Sequence, residues 1–207
     1  RLHIEGVKTL HGTTHRVQPD YIEVGSFIAA SVATGGHLTI PRAGDPHILR
    51  ILQRTYARLG VHWHLTDDTL HLPQQTDRSI EGDIGNATPK IEDGIWPAFP
   101  SDLMSVAIVL ATQTQGTALF FEKMFESRMY FVDHLMSMGA NIIPCDPHRV
   151  VVVGPTQLRG STLTSPDIRA GMAMLIAACC ANGKSLIKNA GVIDRGYEAI
   201  EDRLTQL

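Results

Sequence analysis

Three arginines occupy positions that a helix seldom gives to a cation. Arg128, Arg169 and Arg195 each lie in or just before the first turn of a helix predicted from the residue pattern. The macrodipole is positive at that end, so a cation there costs a few tenths of a kcal/mol to about 1 kcal/mol unless an anion sits close. The stretch "TSPDIRAGMAMLIAACCANG", Thr164 to Gly183, shows the problem most plainly, with Ser165 read as the cap, Pro166 as the first helical residue and Gly183 as the stop. Either Asp167 or a bound anion would answer Arg169. Three guanidinium forks gathered with free helix N–H groups would form a site for phosphate or carboxylate.

Three aspartates share the setting. Asp20, Asp102 and Asp167 each stand at the start of an apolar helix pattern, close behind a proline. The dipole favours an acid there, so none of them alone is evidence of catalysis. Other candidates fall away more quickly. "HWH" at His62 to His64 lacks a carboxylate pattern that would complete a metal site, and no glycine-rich nucleotide loop is present. Cys179 and Cys180 fall in an apolar helix pattern and read as core thiols; with Cys145 they form neither a disulfide framework nor a metal spacing. No cofactor or metal is expected.

The elements that must position these residues repeat. "VQPDYIEVGSFIAASVATGGHLTI" from Val17, "FPSDLMSVAIVLATQTQGTALFFE" from Phe99 and "TSPDIRAGMAMLIAACCANGKSLIKN" from Thr164 each run from proline and aspartate through an apolar helix and a glycine to a strand. A second helix pattern follows each, from Asp45, Phe125 and Asp194; the first two stop at Gly60 and Gly139 and lead into the strand pairs "VHWHLTDDTLHL" and "NIIPCDPHRVVVVG". The predicted fold is α/β, with three units of helix, strand, helix, strand, strand at about residues 13–80, 81–159 and 160–207, the last incomplete at Leu207. A run-up of extended residues is read before the aspartates at Ile4–Asp20 and Val152–Asp167, and "PQQTDRSIEGDIGNATPKIEDGIWPAF", Pro73 to Phe99, as a surface connection walling a site at Asp102. The chain is expected to be part of a larger polypeptide.

Composition sets limits. With 207 residues, 43% of them hydrophobic, the chain can bury one substantial core or two small ones. A net charge of −3 with 18 scattered Lys and Arg excludes a non-specific nucleic-acid binder, so any anion bound is small and local. No apolar run reaches the ~18 residues of a membrane span, and the cysteine usage fits a reducing cytoplasm.

Five ordered motifs, "PDYIEVGSFIAA", "WPAFPSDL", "MFESRMYFVDHLMSMGA", "SPDIRAGMAMLIAA" and "IDRGYEAIEDRL", together resemble the second half of the UDP-N-acetylglucosamine 1-carboxyvinyltransferase family of enolpyruvyl transferases. The resemblance implies an inverted α/β prism domain of three repeated units, a partner domain outside this chain, and substrates held between the two. It also implies the reaction: the enolpyruvyl group of phosphoenolpyruvate passes to the 3'-hydroxyl of UDP-N-acetylglucosamine and phosphate leaves, the committed step of peptidoglycan synthesis. By the same resemblance Asp102 is the candidate general base, Arg195 holds phosphoenolpyruvate, Arg128 and Arg169 line the cleft with Asp167 beside them, and Phe125 and Met124 pack near the nucleotide sugar. This chain has Ser127 where the family pattern "FENR" has asparagine. On this reading residues 1–207 alone are inactive, because the mobile loop and the early lysine-asparagine motif of the family have no counterpart here. The related EPSP synthases and a non-catalytic domain of the same fold are the competing readings.

Overall fold

The computed structural model describes residues 1–206; Leu207, at which the third unit was expected to break off, lies outside the described residues. Three apolar helices form the centre: α1 (Tyr21–Ala33), α3 (Met104–Thr112) and α5 (Ile168–Cys180), each in contact with the other two. All nine residues of α3 are buried, as expected of a helix that is apolar all round. The outer helix α2 (Pro46–Arg58) instead buries one stripe, Leu49, Leu52 and Tyr56, at helical spacing.

Sheets surround this centre. Strands β1 (Leu38–Ile40), β2 (His64–Thr66) and β3 (Thr69–Leu72) form an antiparallel sheet in the order β1-β3-β2. Strands β4 (Lys90–Glu92), β5 (Gly116–Phe121), β6 (Asn141–Asp146) and β7 (Arg149–Gly154) form a second sheet, β4-β5-β7-β6, with β4 parallel to β5 and the other pairs antiparallel. Strands β8 (Thr162–Thr164) and β9 (Leu186–Lys188) pair in parallel. The order helix, strand, helix, strand, strand thus runs through α1-β1-α2-β2-β3 and recurs in α3-β5-α4-β6-β7, where α4 is Val132–Ser137. After α5 and β9 comes α6 (Ile200–Thr205), preceded by a 3-10 segment, Ala190–Arg195.

The second helices stop in the same way in both complete units. Gly60 and Gly139 hold φ of 74° and 99°, and just beyond them Val61 N–H donates to the Tyr56 carbonyl and Ala140 N–H to the Leu135 carbonyl, each at 3.0 Å. These are left-handed glycine caps that satisfy carbonyls the helix would leave open.

Several expectations need correction. Residues 1–20 form no strand and are exposed, because no ladder partner stands beside them, whereas β4 and β8 have β5 and β9. The Pro73–Phe99 connection is more than surface: β4 joins the second sheet, and Ile91, Asp93 and Phe99 are buried. Helix α5 is capped by Asp167 rather than by Ser165, since the aspartate accepts both Arg169 N–H and Ala170 N–H at 2.8 Å. Cys179 is exposed in the last turn of α5; Cys180 beside it is half-buried, and burial pushes its thiol up to about 12, so it remains a poor nucleophile at neutral pH.

The end of α3 meets the end of β7 at Gly154 with no room for a side chain. A Cβ there would overlap the carbonyl oxygens of Ala111 and Thr114, both backbone atoms fixed by the helix end. Gly154→Ala is therefore expected to destabilise by about 1–3 kcal/mol or more, as overpacking does. A urea midpoint equal to wild type would contradict this close approach.

Candidate functional site

The three repeated aspartates do different work. Asp20 caps α1, accepting Ile22 N–H at 2.8 Å, and Asp167 caps α5. Before α3 the chain adds a 3-10 turn, Ser101–Leu103, and α3 has no side-chain cap. Asp102 sits inside that turn, so its carboxylate is released from capping and turns to two arginines.

Those arginines come from two other segments. Arg128 Nη1 lies 3.1 Å from Asp102 Oδ1, and Arg169 Nη2 lies 2.9 Å from Asp102 Oδ2. The anion that offsets Arg169 in the first turn of α5 is thus Asp102 from the neighbouring unit, with Asp167 occupied at the backbone. Arg128 Nη1 also donates to the Ser101 carbonyl at 3.1 Å, and its guanidinium lies over the Phe125 ring at 4.6 Å. Arg169 lies 5.6 Å from the Tyr197 ring centroid, with Nη1 buried and without a hydrogen-bond partner. Each fork is held by an aromatic face and an ion pair, which leaves it few rotamers to sample.

An open cleft of about 790 Å³ lies over this group, lined by Asp102, Phe125, Arg128, Asp167, Arg169 and Arg195 among others. Six of the seven predicted site residues therefore share one cleft. Met124 does not line it and is exposed next to Phe125. Arg195 differs from its prediction in another way: it ends the 3-10 segment, and α6 begins only at Ile200. The chain between them is drawn inward by Tyr197, fully buried, whose hydroxyl shares a 2.8 Å hydrogen bond with Ser26 of α1. Arg195 stays exposed at the cleft and makes no ion pair among the described residues. Asp102 accepts from two donors and a carboxylate has about four lone-pair sites, so acceptor capacity remains for a ligand hydroxyl. Arg195 supplies exposed donors for an anion. No group of three or more metal-ligating side chains occurs among the described residues, and no helix there is long and apolar enough to cross a membrane.

Residues 1–204 match the family model for EPSP synthase (3-phosphoshikimate 1-carboxyvinyltransferase). The chain belongs to that family. Relatives named UDP-N-acetylglucosamine 1-carboxyvinyltransferase are 52% identical over 206 residues in Treponema denticola and 55% identical over 204 residues in Bradyrhizobium diazoefficiens, covering 100% and 99% of this chain. The chain spans about half the length of these curated relatives, 48% and 47%. Among solved structures, the enolpyruvyl transferase NikO from Streptomyces tendae superposes with a TM-score of 0.78 at 24% identity, covering 91% of this chain and 43% of that one. An EPSP synthase from Acinetobacter baumannii gives 0.59 at 13% identity, covering 82% of this chain and 39% of its own. At these identities the superpositions establish the fold, an α/β enolpyruvyl-transferase fold.

In this family member the sequence pattern missed the buried polar residues behind the cleft. Ser101, Glu122 and Tyr197 are buried and polar, and each hydrogen-bonds across sequence distance, which no local spacing reveals. Glu126, within the motif "MFESR", lines the cleft beside Phe125. Ser127, between Glu126 and Arg128, holds φ at 63°, the left-handed region. Asparagine, which the family pattern carries here, tolerates that region better than most side chains. Ser127→Asn is expected to recover part of the roughly 1–2 kcal/mol that a left-handed residue costs, raising the unfolding midpoint; an unchanged or lower midpoint would oppose it.

Proposed function

We propose that the protein carrying this chain transfers the enolpyruvyl group of phosphoenolpyruvate to the 3'-hydroxyl of UDP-N-acetylglucosamine with release of phosphate, and that this chain forms one wall of the reaction cleft. The observation that carries the reading is Asp102 held between Arg128 and Arg169 at a cleft where Arg195 is exposed and makes no ion pair among the described residues. The 50–55% identity to relatives bearing the corresponding name supports the UDP-sugar substrate over shikimate 3-phosphate. The product would commit the sugar to peptidoglycan, and through the cell wall to cell shape and division. The proposed setting is the cytoplasm, and the partner wall is the half of the relatives' length that this chain does not span.

In this mechanism Asp102 accepts the proton of the sugar hydroxyl as oxygen attacks C2 of phosphoenolpyruvate, with the methylene carbon protonated by a group outside this chain. The two guanidiniums fix the carboxylate so that it need not reorganise as the proton moves. Arg195 pairs with the anionic groups of phosphoenolpyruvate; the tetrahedral intermediate then gives up a proton from its new methyl carbon to a base outside this chain as phosphate leaves C2, which restores the enol double bond. Asp167 keeps the start of α5, and with it Arg169, in register. Phe125 stacks under Arg128 and, with the exposed Met124 next to it in the chain, offers apolar surface to the nucleotide sugar.

Tests need the complete protein. Asp102→Asn is expected to bind both substrates yet slow turnover by roughly 100-fold or more, the scale of a lost general base; an unchanged turnover number would remove that role. Arg195→Ala is expected to weaken phosphoenolpyruvate far more than UDP-N-acetylglucosamine in calorimetry, and equal losses would assign Arg195 elsewhere. Binding of shikimate 3-phosphate in place of the UDP-sugar would overturn the substrate reading.

A further inference from the structure

Behind Arg128, on the side away from the cleft, two carboxylates are buried together. Asp93 follows β4 and Glu122 follows β5, two parallel strands whose last paired residues are Glu92 and Phe121, and both acids are fully shielded from solvent. Asp93 Oδ1 accepts the Lys123 N–H at 2.6 Å, while its Oδ2 is buried with no partner. Glu122 Oε1 accepts the N–H groups of Met124 at 3.0 Å and Phe125 at 3.1 Å, and the Ser101 hydroxyl donates to this carboxyl, 2.8 Å from Oε2 and 2.9 Å from Oε1. Oε2 also lies 3.8 Å from Arg128 Nε.

One side chain thus touches the turn that presents Phe125, the residue preceding Asp102, and the arginine that pairs with Asp102. We propose that Glu122 is a positioning residue for the cleft and shares one proton with Asp93, so that the turn carrying Phe125 and Arg128 is held while that proton is present. The proposal rests on reading the cleft at Asp102 as the reaction site.

The proton is what this geometry lacks. Two ionised carboxylates side by side and out of water repel, and a single proton between them turns the orphaned oxygen of Asp93 into a hydrogen-bond partner. Burial first, and then the Asp93 carboxyl within hydrogen-bonding reach, push Glu122 up to about 7, against the pull of the Ser101 hydroxyl and the Met124 N–H. The remaining charged groups around the pair are engaged. Lys90 and Lys123 pair with Glu92, Arg149 pairs with Asp146 and lies over Phe121, the His148 ring nitrogen meets the Glu122 carbonyl at 3.1 Å, and Arg128 faces Asp102.

The sign follows from the direction of the shift. The folded value lies above the ordinary carboxylate value of about 4.3, so the folded protein holds the proton more tightly than the unfolded chain. The stabilisation is complete below about pH 4 and is lost as pH rises through about 7.

The experiment compares the complete wild-type protein with Glu122→Gln, Glu122→Ala and Asp93→Asn from pH 5.5 to 9. It reads phosphate release from phosphoenolpyruvate and UDP-N-acetylglucosamine, and amide-exchange protection of residues 122–128 corrected for intrinsic rates. Wild type is expected to lose turnover and protection together on the alkaline side of about pH 7. Glutamine keeps an acceptor for the two N–H groups and a donor for Asp93, so Glu122→Gln should keep turnover near the wild-type value at pH 6 and flatten both curves. Asp93→Asn should flatten them as well, since either amide removes the paired charge. Glu122→Ala should lose more than about 10-fold in turnover at every pH, in keeping with a positioning role. Curves that fall as in wild type in both amide variants would overturn the shared proton, and flattened protection with an unmoved turnover profile would reduce Glu122 to a structural part. Absence of phosphate release from wild type would count against the reading of the cleft, while the protection contrast would still decide the clamp.

Discussion

Helix α3 is buried on every side, and the placement of the polar groups follows from that. A helix with no solvent face cannot carry an ionised side chain along its length without a desolvation cost that pairing rarely recovers. The polar and charged groups that build the cleft are therefore gathered where the chain enters the helix. Ser101 and Asp102 lie in the entry turn, Asp93 and Glu122 at the ends of the strands that reach it, and Arg128 at the start of the next helical segment. The cleft lies at that end because α3 carries no ionisable side chain along its length.

At that end the ion pairs matter more for geometry than for stability. Asp102 is 37% exposed, and Arg128 and Arg169 are 18% and 21% exposed, so solvent screens the attraction and each pair contributes on the order of 1 kcal/mol or less. What they supply is orientation. One carboxylate between two forks ties the entries of α3, α4 and α5 together, and the aromatic faces of Phe125 and Tyr197 limit where the forks can swing. Tyr197 extends the tie to α1 through Ser26, so all three central helices bear on the position of one carboxylate. A change in the packing of any of them would reach the cleft through rigid neighbours.

Much of this was legible in the residue pattern. The apolar periodicity of α1, α3 and α5, the amphipathic stripe of α2 and the strand pairs after Gly60 and Gly139 all follow from local rules, because propensity, burial and turn chemistry act over a few residues. The unfavourable arginine in the first turn of α5 was legible as a question, since the dipole argument needs only the helix and the charge. Its answer was not, because Asp102 and Arg169 stand 67 positions apart and local rules are silent about which distant groups meet.

The sequence by itself determined the central helices, the recurring unit and the residue types that belong at a cleft, since each depends on neighbours along the chain. Tertiary structure alone decided which of three equivalent aspartates is free: Asp20 and Asp167 cap their helices, and an extra 3-10 turn releases Asp102. It alone decided that Ile4–Asp20 forms no strand, that Arg195 ends a segment instead of starting a helix, and that Asp93 and Glu122 are buried side by side. Each of these depends on a partner distant in sequence, and only packing brings that partner within the few ångströms over which a hydrogen bond or an ion pair acts.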